Sequence, residues 1–205
     1  MNSLLRFGAI SGALSGLMLG LPGGIEGVTG ETLVTSILIG LAPALAAPLV
    51  TALYLVNLGT GARRGGVGYA MNMVGLGLFG AAAYALNIVV FPLGPDVTLP
   101  PVSRIVILAG AGVYVVGVIW FGIAMLRARA HPRIPVILYT LEMPLFPVAA
   151  QLPDSPLTAG LHVIAGTALV WLAISLRGHM AGAGSTIMPS PDGAWRESPS
   201  AADVQ

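Results

Sequence analysis

Six long apolar stretches dominate the chain, and short clusters of charged, proline or glycine residues separate them. They run from about Leu4 to Leu21, Thr32 to Leu58, Val67 to Phe91, Val102 to Leu126, Pro135 to Leu152 and Leu157 to Leu176. A helix needs about 20 apolar residues to cross a hydrocarbon core roughly 30 Å thick. Each stretch comes near or exceeds that length. Lipid offers no partner to a bare N–H or C=O, so such stretches are expected to be helical. The short alternating segments of a transmembrane barrel are absent from the pattern. The expected fold is all-α: a polytopic transmembrane bundle of six helices over residues 1–177. From Gly178 to Gln205 the apolar pattern gives way to Gly, Ser, Pro and Ala. That stretch reads as a disordered cytoplasmic tail, in which Ser185, Thr186, Ser190, Ser198 and Ser200 are candidate phosphorylation sites. Ser155 followed by Pro156 reads as an N-cap and first helical residue for the sixth helix.

Composition strengthens the membrane reading. Of 205 residues, 56% are hydrophobic and only 8% charged. A soluble domain is about a quarter charged, so a water-facing surface cannot be assembled from this set. The formal net charge of +1 gives no reason to expect nucleic acid as a partner. Cysteine is absent, which removes disulfides, thiol catalysis and Cys-ligated metal centres. Orientation follows from arginine. Arg6, Arg63, Arg64, Arg127, Arg129, Arg133 and Arg177 all fall on one side of a six-helix arrangement. The other side holds Arg104 with Glu26, Glu31, Asp96 and Asp154. The excess of basic residues marks the cytoplasmic side, so both termini are expected there, in a multi-pass protein of the cell membrane. Tyr54, Tyr69, Trp120 and Trp171 lie near the same ends, as an interfacial belt would. The first stretch, with Arg6 before a short apolar run, also resembles a signal peptide. It lacks a small-x-small cleavage site with a polar region behind it, so it is read as a retained helix.

The first helix carries Gly8, Gly12, Gly16, Gly20 and Gly24, each four residues from the next, with Ser11 and Ser15 beside them. This spacing makes a groove into which another backbone fits. A dimer interface is one use of it. Packing inside the bundle, against the third or fourth helix with Gly75, Gly80, Gly110, Gly117 and Gly122, is the other and the one expected here.

Polar residues inside the apolar stretches are the candidates for function. Glu142 lies well within the fifth stretch, where an ionised carboxylate costs about 2.5–3.5 kcal/mol on insertion scales. It is expected to face the bundle interior, with Tyr139, Thr140 or His162 as partners. His162 lies in the sixth stretch and Asn87 in the third, both toward the outer side. The candidate intramembrane polar site is therefore Glu142, His162, Asn87 and Tyr139. Asn72 reads as an interhelical hydrogen-bonding residue. Pro43 and Pro48 fall in the second stretch, Pro144 and Pro147 in the fifth. Those are the middle helices of two three-helix halves of opposite orientation, a placement that in transporters marks binding sites.

No Walker loop, G-x-S-x-G elbow or H-E-x-x-H occurs. His131 and His179 fall far from His162, which argues against a haem or histidine-bound metal. Neither catalytic residues, a metal nor a cofactor are expected, and an enzyme ranks behind two other classes. The first is a structural or accessory membrane protein, alone, as a homo-oligomer or beside a partner in a membrane complex. The second is a small transporter or channel-like protein using the polar site around Glu142 and His162. The stretch Phe121-Gly122-Ile123-Ala124-Met125-Leu126-Arg127, followed by Pro132-Arg133, resembles the fourth-helix end and basic loop of bacterial six-helix integral membrane proteins of unknown function. The resemblance implies the same architecture and no activity.

The topology has a direct check. Reporters fused after Arg64 and after Arg133 should read cytoplasm, and those near Thr29 and Asp154 the exterior. An exterior signal at Arg133 would overturn the orientation.

Overall fold

A computed structural model describes residues 2–59, 65–94, 96–149, 152 and 155–184. The protein is an all-α bundle of six helical segments. Five are long and apolar enough to cross a membrane: α1 (Asn2–Thr29), α2 (Leu33–Gly59), α3 (Gly66–Tyr84) with its continuation, α4 (Pro101–Ala128) and α7 (Pro156–Gly184). The continuation of α3 is a π-helical turn over Ala85–Val90 and a 3-10 turn over Phe91–Leu93. The remaining segment is composite. It consists of α5 (Arg133–Glu142), a 3-10 turn over Met143–Leu145 and the short α6 (Phe146–Ala149). From Arg133 to Ala149 it spans roughly 25 Å, the shortest of the six.

Local chemistry sets most boundaries. Gly30 stops α1 with φ +75°, and its N–H donates to the Glu26 carbonyl in a left-handed C-cap. Thr32 and Thr35 bond each other's N–H groups at the start of α2. Ser155 and Thr158 do the same at the start of α7, with Pro156 as its first residue. The break after Glu142 follows from Pro144, which has no N–H to donate to the Thr140 carbonyl. In contrast, α2 runs unbroken through Pro43 and Pro48. Two expected boundaries shift. The first helix continues past Leu21 to Thr29, and α7 continues past Gly178 to Gly184. Arg63, Arg64, Asp154 and the five candidate phosphorylation sites lie outside the described residues.

Sorting the side chains of α1 shows what the bundle is built for. Leu4, Phe7, Ile10, Leu14, Leu17, Leu21 and Ile25 are exposed, whereas Gly8, Ser11, Gly12, Ser15, Gly16 and Gly23 are buried. Large apolar groups face out and small ones face in, as suits a helix surrounded by acyl chains and packed by close approach. The glycine row lies within the bundle, but its partners are α2 and α7, not the third or fourth helix. Gly8 and Gly12 lie against Pro48, Ala52 and Leu49 of α2. Ser11 and Ser15 donate to the carbonyls of Leu45 and Ala42 in α2, at 2.6 and 2.7 Å. Gly16, Gly20 and Gly24 turn to α7. A β-carbon on Gly16 would lie 2.5 Å from the Gly166 carbonyl oxygen, and one on Gly166 equally close to the Gly16 carbonyl oxygen. Gly75 of α3 and Gly117 of α4 form a second, separate seam, whereas Gly80 faces Pro43 of α2 and Gly122 faces Thr140 of α5. Gly75 lies on the backbone of Tyr114, and Gly117 on the backbone of Asn72.

The large buried side chains gather toward the end that carries Arg127, Arg129 and Arg133. Leu49, Leu53, Phe121, Met125, Leu172 and Leu176 are fully enclosed there. This half is a packed core. The opposite half, holding Glu26, Glu31 and Arg104, is not.

Gly16→Leu or Gly117→Leu should lower unfolding stability in detergent by about 3 kcal/mol, because the opposing atoms are backbone and cannot rotate away. Gly112→Ala, with open space around it, should be neutral or stabilise by up to about 1 kcal/mol. Equal thermal shifts for all three variants would remove the seams as the basis of packing.

Candidate functional site

The unfilled half contains a cavity of about 820 Å³, to which every segment contributes. This volume falls in the usual range for a small-molecule site. Leu19 and Glu26 of α1, Ile39 and Pro43 of α2, and Phe79, Ala82 and Ala83 of α3 form part of its wall. Leu86, Asn87 and Val90 come from the π-helical turn, Arg104, Ile107, Leu108 and Ala111 from α4. Phe146, Pro147 and Ala149 of α6 and Thr158 and His162 of α7 complete it, and Glu31, Gly94, Val97 and Leu99 bring it to the connecting loops. Deviations from regular helix cluster on this wall. Pro43 removes one donor from α2, the π turn widens the third segment, and Pro147 sits in the broken fifth. Pro48 and Pro144 do not line it.

The polar groups on the wall are mostly acceptors. His162 Nδ1 lies 2.7 Å from the Thr158 carbonyl oxygen. A carbonyl only accepts, so Nδ1 carries the proton, and in the neutral ring Nε2 is left as an acceptor. The ring stands edge-on to Phe146, centroids 5.0 Å apart. Its near side is pressed to Gly23, where a β-carbon would collide with it. Asn87 spends one amide N–H on the Ala83 carbonyl at 2.9 Å, which leaves Oδ1 and a second N–H. Glu26 is buried, at 9% exposure. Glu31 accepts a hydrogen bond from the Ser36 hydroxyl. Arg104, in the first turn of α4, is the one cation among the described residues of the wall.

Of the four candidate residues, the cavity unites His162 and Asn87. Tyr139 is fully buried elsewhere, and its hydroxyl accepts from Asn72 Nδ2 at 2.7 Å, tying the fifth segment to α3. Glu142 is half-buried and does not line the cavity. Its Oε2 is enclosed without a hydrogen-bond partner among the described residues. The partners expected for it are engaged otherwise: Tyr139 by Asn72, Thr140 by the Val136 carbonyl, His162 by Thr158. Val136, Tyr139, Met143 and Phe146 form the inward face of this segment, which leaves Glu142 on its flank.

The sequence marks Glu26, Glu31 and Arg104 only as charges of the outer side, not as residues of a site. A signal for Glu26 was available, since a glycine row continuing to Gly24 already requires helix beyond Leu21. At the opposite end, His131 is buried 5.4 Å from the His179 ring. Burial first, and then the neighbouring imidazole, hold its pKa down at about 4. Neither histidine approaches the cavity. Among the described residues no three His, Cys, Asp or Glu side chains are grouped to hold a metal. Comparison with protein-family models, curated proteins and solved structures finds no match to this chain.

Tyr139→Phe should lower stability in detergent by about 1 kcal/mol, since the Asn72 amide loses its acceptor. Glu142→Leu should be neutral or stabilise by about 1 kcal/mol, because it removes an enclosed acceptor that has no donor. A loss at Glu142 as large as that at Tyr139 would restore a structural role to the carboxylate.

Proposed function

We propose that the protein is a small transporter of the cell membrane, with both termini in the cytoplasm, that admits a small molecule from the exterior into the cavity near Glu26 and His162. The observation that carries this reading is a cavity lined at once by the π-helical turn of the third segment, by Pro43 of α2 and by Pro147 of α6. Broken helical hydrogen bonding at membrane depth is tolerated where it is buried in protein or lines a cavity, and transporters place their binding sites at such breaks. π-helical turns are likewise frequent at functional sites. A structural or accessory role gives no reason for Pro43, the π turn and Pro147 to meet around one space. The cavity supports transport over that role, but it moves the centre of the site away from Glu142.

The lack of native cysteine makes the test clean. Single cysteines at Ala83 and Ala111, both on the wall, should react with a membrane-impermeant thiol reagent applied to intact cells. They should react at least about tenfold faster than a cysteine at Val116, on the exposed apolar face of α4. Proteoliposomes containing the protein should accumulate a component of a mixed solute pool. Unreactive cavity positions and no accumulation would return the accessory role.

A further inference from the structure

We infer that the loop between α4 and α5 binds the headgroup of an anionic phospholipid, whose acyl chains lie along the apolar rows beside it. The site is independent of the cavity and stands at the opposite end of the bundle. Three arginines share this loop. Arg127 lies in the last turn of α4, Arg129 follows it, and Arg133 opens α5. All three are exposed, and no Asp or Glu among the described residues stands at this end to neutralise them. The dipole of α4 suits Arg127 in its last turn, but that of α5 disfavours Arg133 in its first. Helix electrostatics therefore does not account for the set.

Each flanking arginine tops a lipid-facing row. Val116, Trp120, Ile123 and Arg127 follow one another at three or four residues along one face of α4, and all are exposed. Arg133, Ile137 and Leu141 form a matching exposed row on α5, which packs against α4. A cation at the end of an apolar face fits a phosphate at the end of an acyl chain. The loop is also held in place, since His131 Nδ1 lies 3.4 Å from the Ser175 hydroxyl of α7. Between the two rows Arg129 has φ +54°, the only positive φ outside glycine among the described residues. Glycine would adopt that conformation with less strain, so the arginine side chain sits there at a cost to stability.

The test uses the full-length protein in phosphatidylcholine nanodiscs, with and without phosphatidylglycerol. Thermal unfolding is followed together with lipid retention by native mass spectrometry. Phosphatidylglycerol should raise the Tm. An arginine near an anionic surface contributes roughly fivefold in affinity. The combined Arg127→Gln, Arg129→Gly and Arg133→Gln variant should therefore bind phosphatidylglycerol about a hundredfold more weakly. Arg129→Gly alone should lose about fivefold. In phosphatidylcholine it should unfold at the parent's temperature or higher, because glycine accepts this φ freely, so it decides the matter even if the triple variant fails to fold. Arg177→Gln removes a charge at the same end but outside the loop, and should keep the parent's affinity within about twofold. Inorganic phosphate added to phosphatidylcholine discs should leave the Tm where it was. No rise with phosphatidylglycerol overturns the site, and so does a loss at Arg177 as large as that at Arg129, which would mark a diffuse basic surface. An equal rise with inorganic phosphate overturns the assignment to a lipid.

Discussion

In lipid, two helices gain nothing by hiding apolar surface from each other, so the contact between Gly16 and Gly166 holds α1 to α7 by proximity alone. With no β-carbon on either side, carbonyl oxygens and α-carbons meet directly, and the dispersion attraction of two whole backbones is realised along the crossing. The rest of the acidic half depends on this distance. One turn earlier in α7, His162 fits against Gly23 only because the two axes are already close. Its ring then stands on Phe146, and the cavity wall closes from α1 to α6 through α7. The seam between α3 and α4 acts in the same way on the other side, with Gly75 and Gly117 each seated on backbone.

A consequence is a division of labour along the membrane normal. Toward the basic end, Leu49, Phe121, Met125 and Leu172 fill the space between the segments. Toward the acidic end the third segment widens into its π-helical turn, and no comparable side chains fill the gap. Helices held so closely by glycine can tolerate departures from regular hydrogen bonding nearby, because the freed carbonyls stay enclosed by protein and away from acyl chains. The rigid half thus positions the adaptable one.

Much of this architecture was legible in the sequence, because lipid imposes a length and a composition that each segment must meet. The six helical segments, the Ser155-Pro156 start and the inward-facing glycine row all came from local pattern. The partners of that row did not. Spacing says that a backbone approaches, and nothing in Gly16 itself points to Gly166 over Gly75. The polar site was legible only in part. Asn87 and His162 stood out as polar residues in apolar surroundings, and both line the cavity. Glu142 stood out more strongly for the same reason, but whether it faces the cavity depends on the turn of helix broken at Pro144, which shifts that face by an amount the sequence does not encode locally. Glu26 counted only as a charge of the outer side, because the first apolar run ends at Leu21. In α1 the residues past that end include Gly23, the small surface on which His162 packs.

The two glycines of the closing seam sit near opposite ends of the chain, and this orders the protein's biogenesis. Ribosomes add about 5–20 residues per second, so Gly16 enters the membrane on the order of ten seconds before Gly166 exists. In that interval α2 can take the Ser11 and Ser15 hydroxyls through the carbonyls of Leu45 and Ala42. The face from Gly16 to Gly27 has only acyl chains or the insertion machinery against it. The hairpins α1–α2 and α3–α4 can assemble as they emerge, but the ring closes only when α7 arrives. The nascent chain therefore carries a bare backbone groove until α7 is made, and the cavity comes into being with α7.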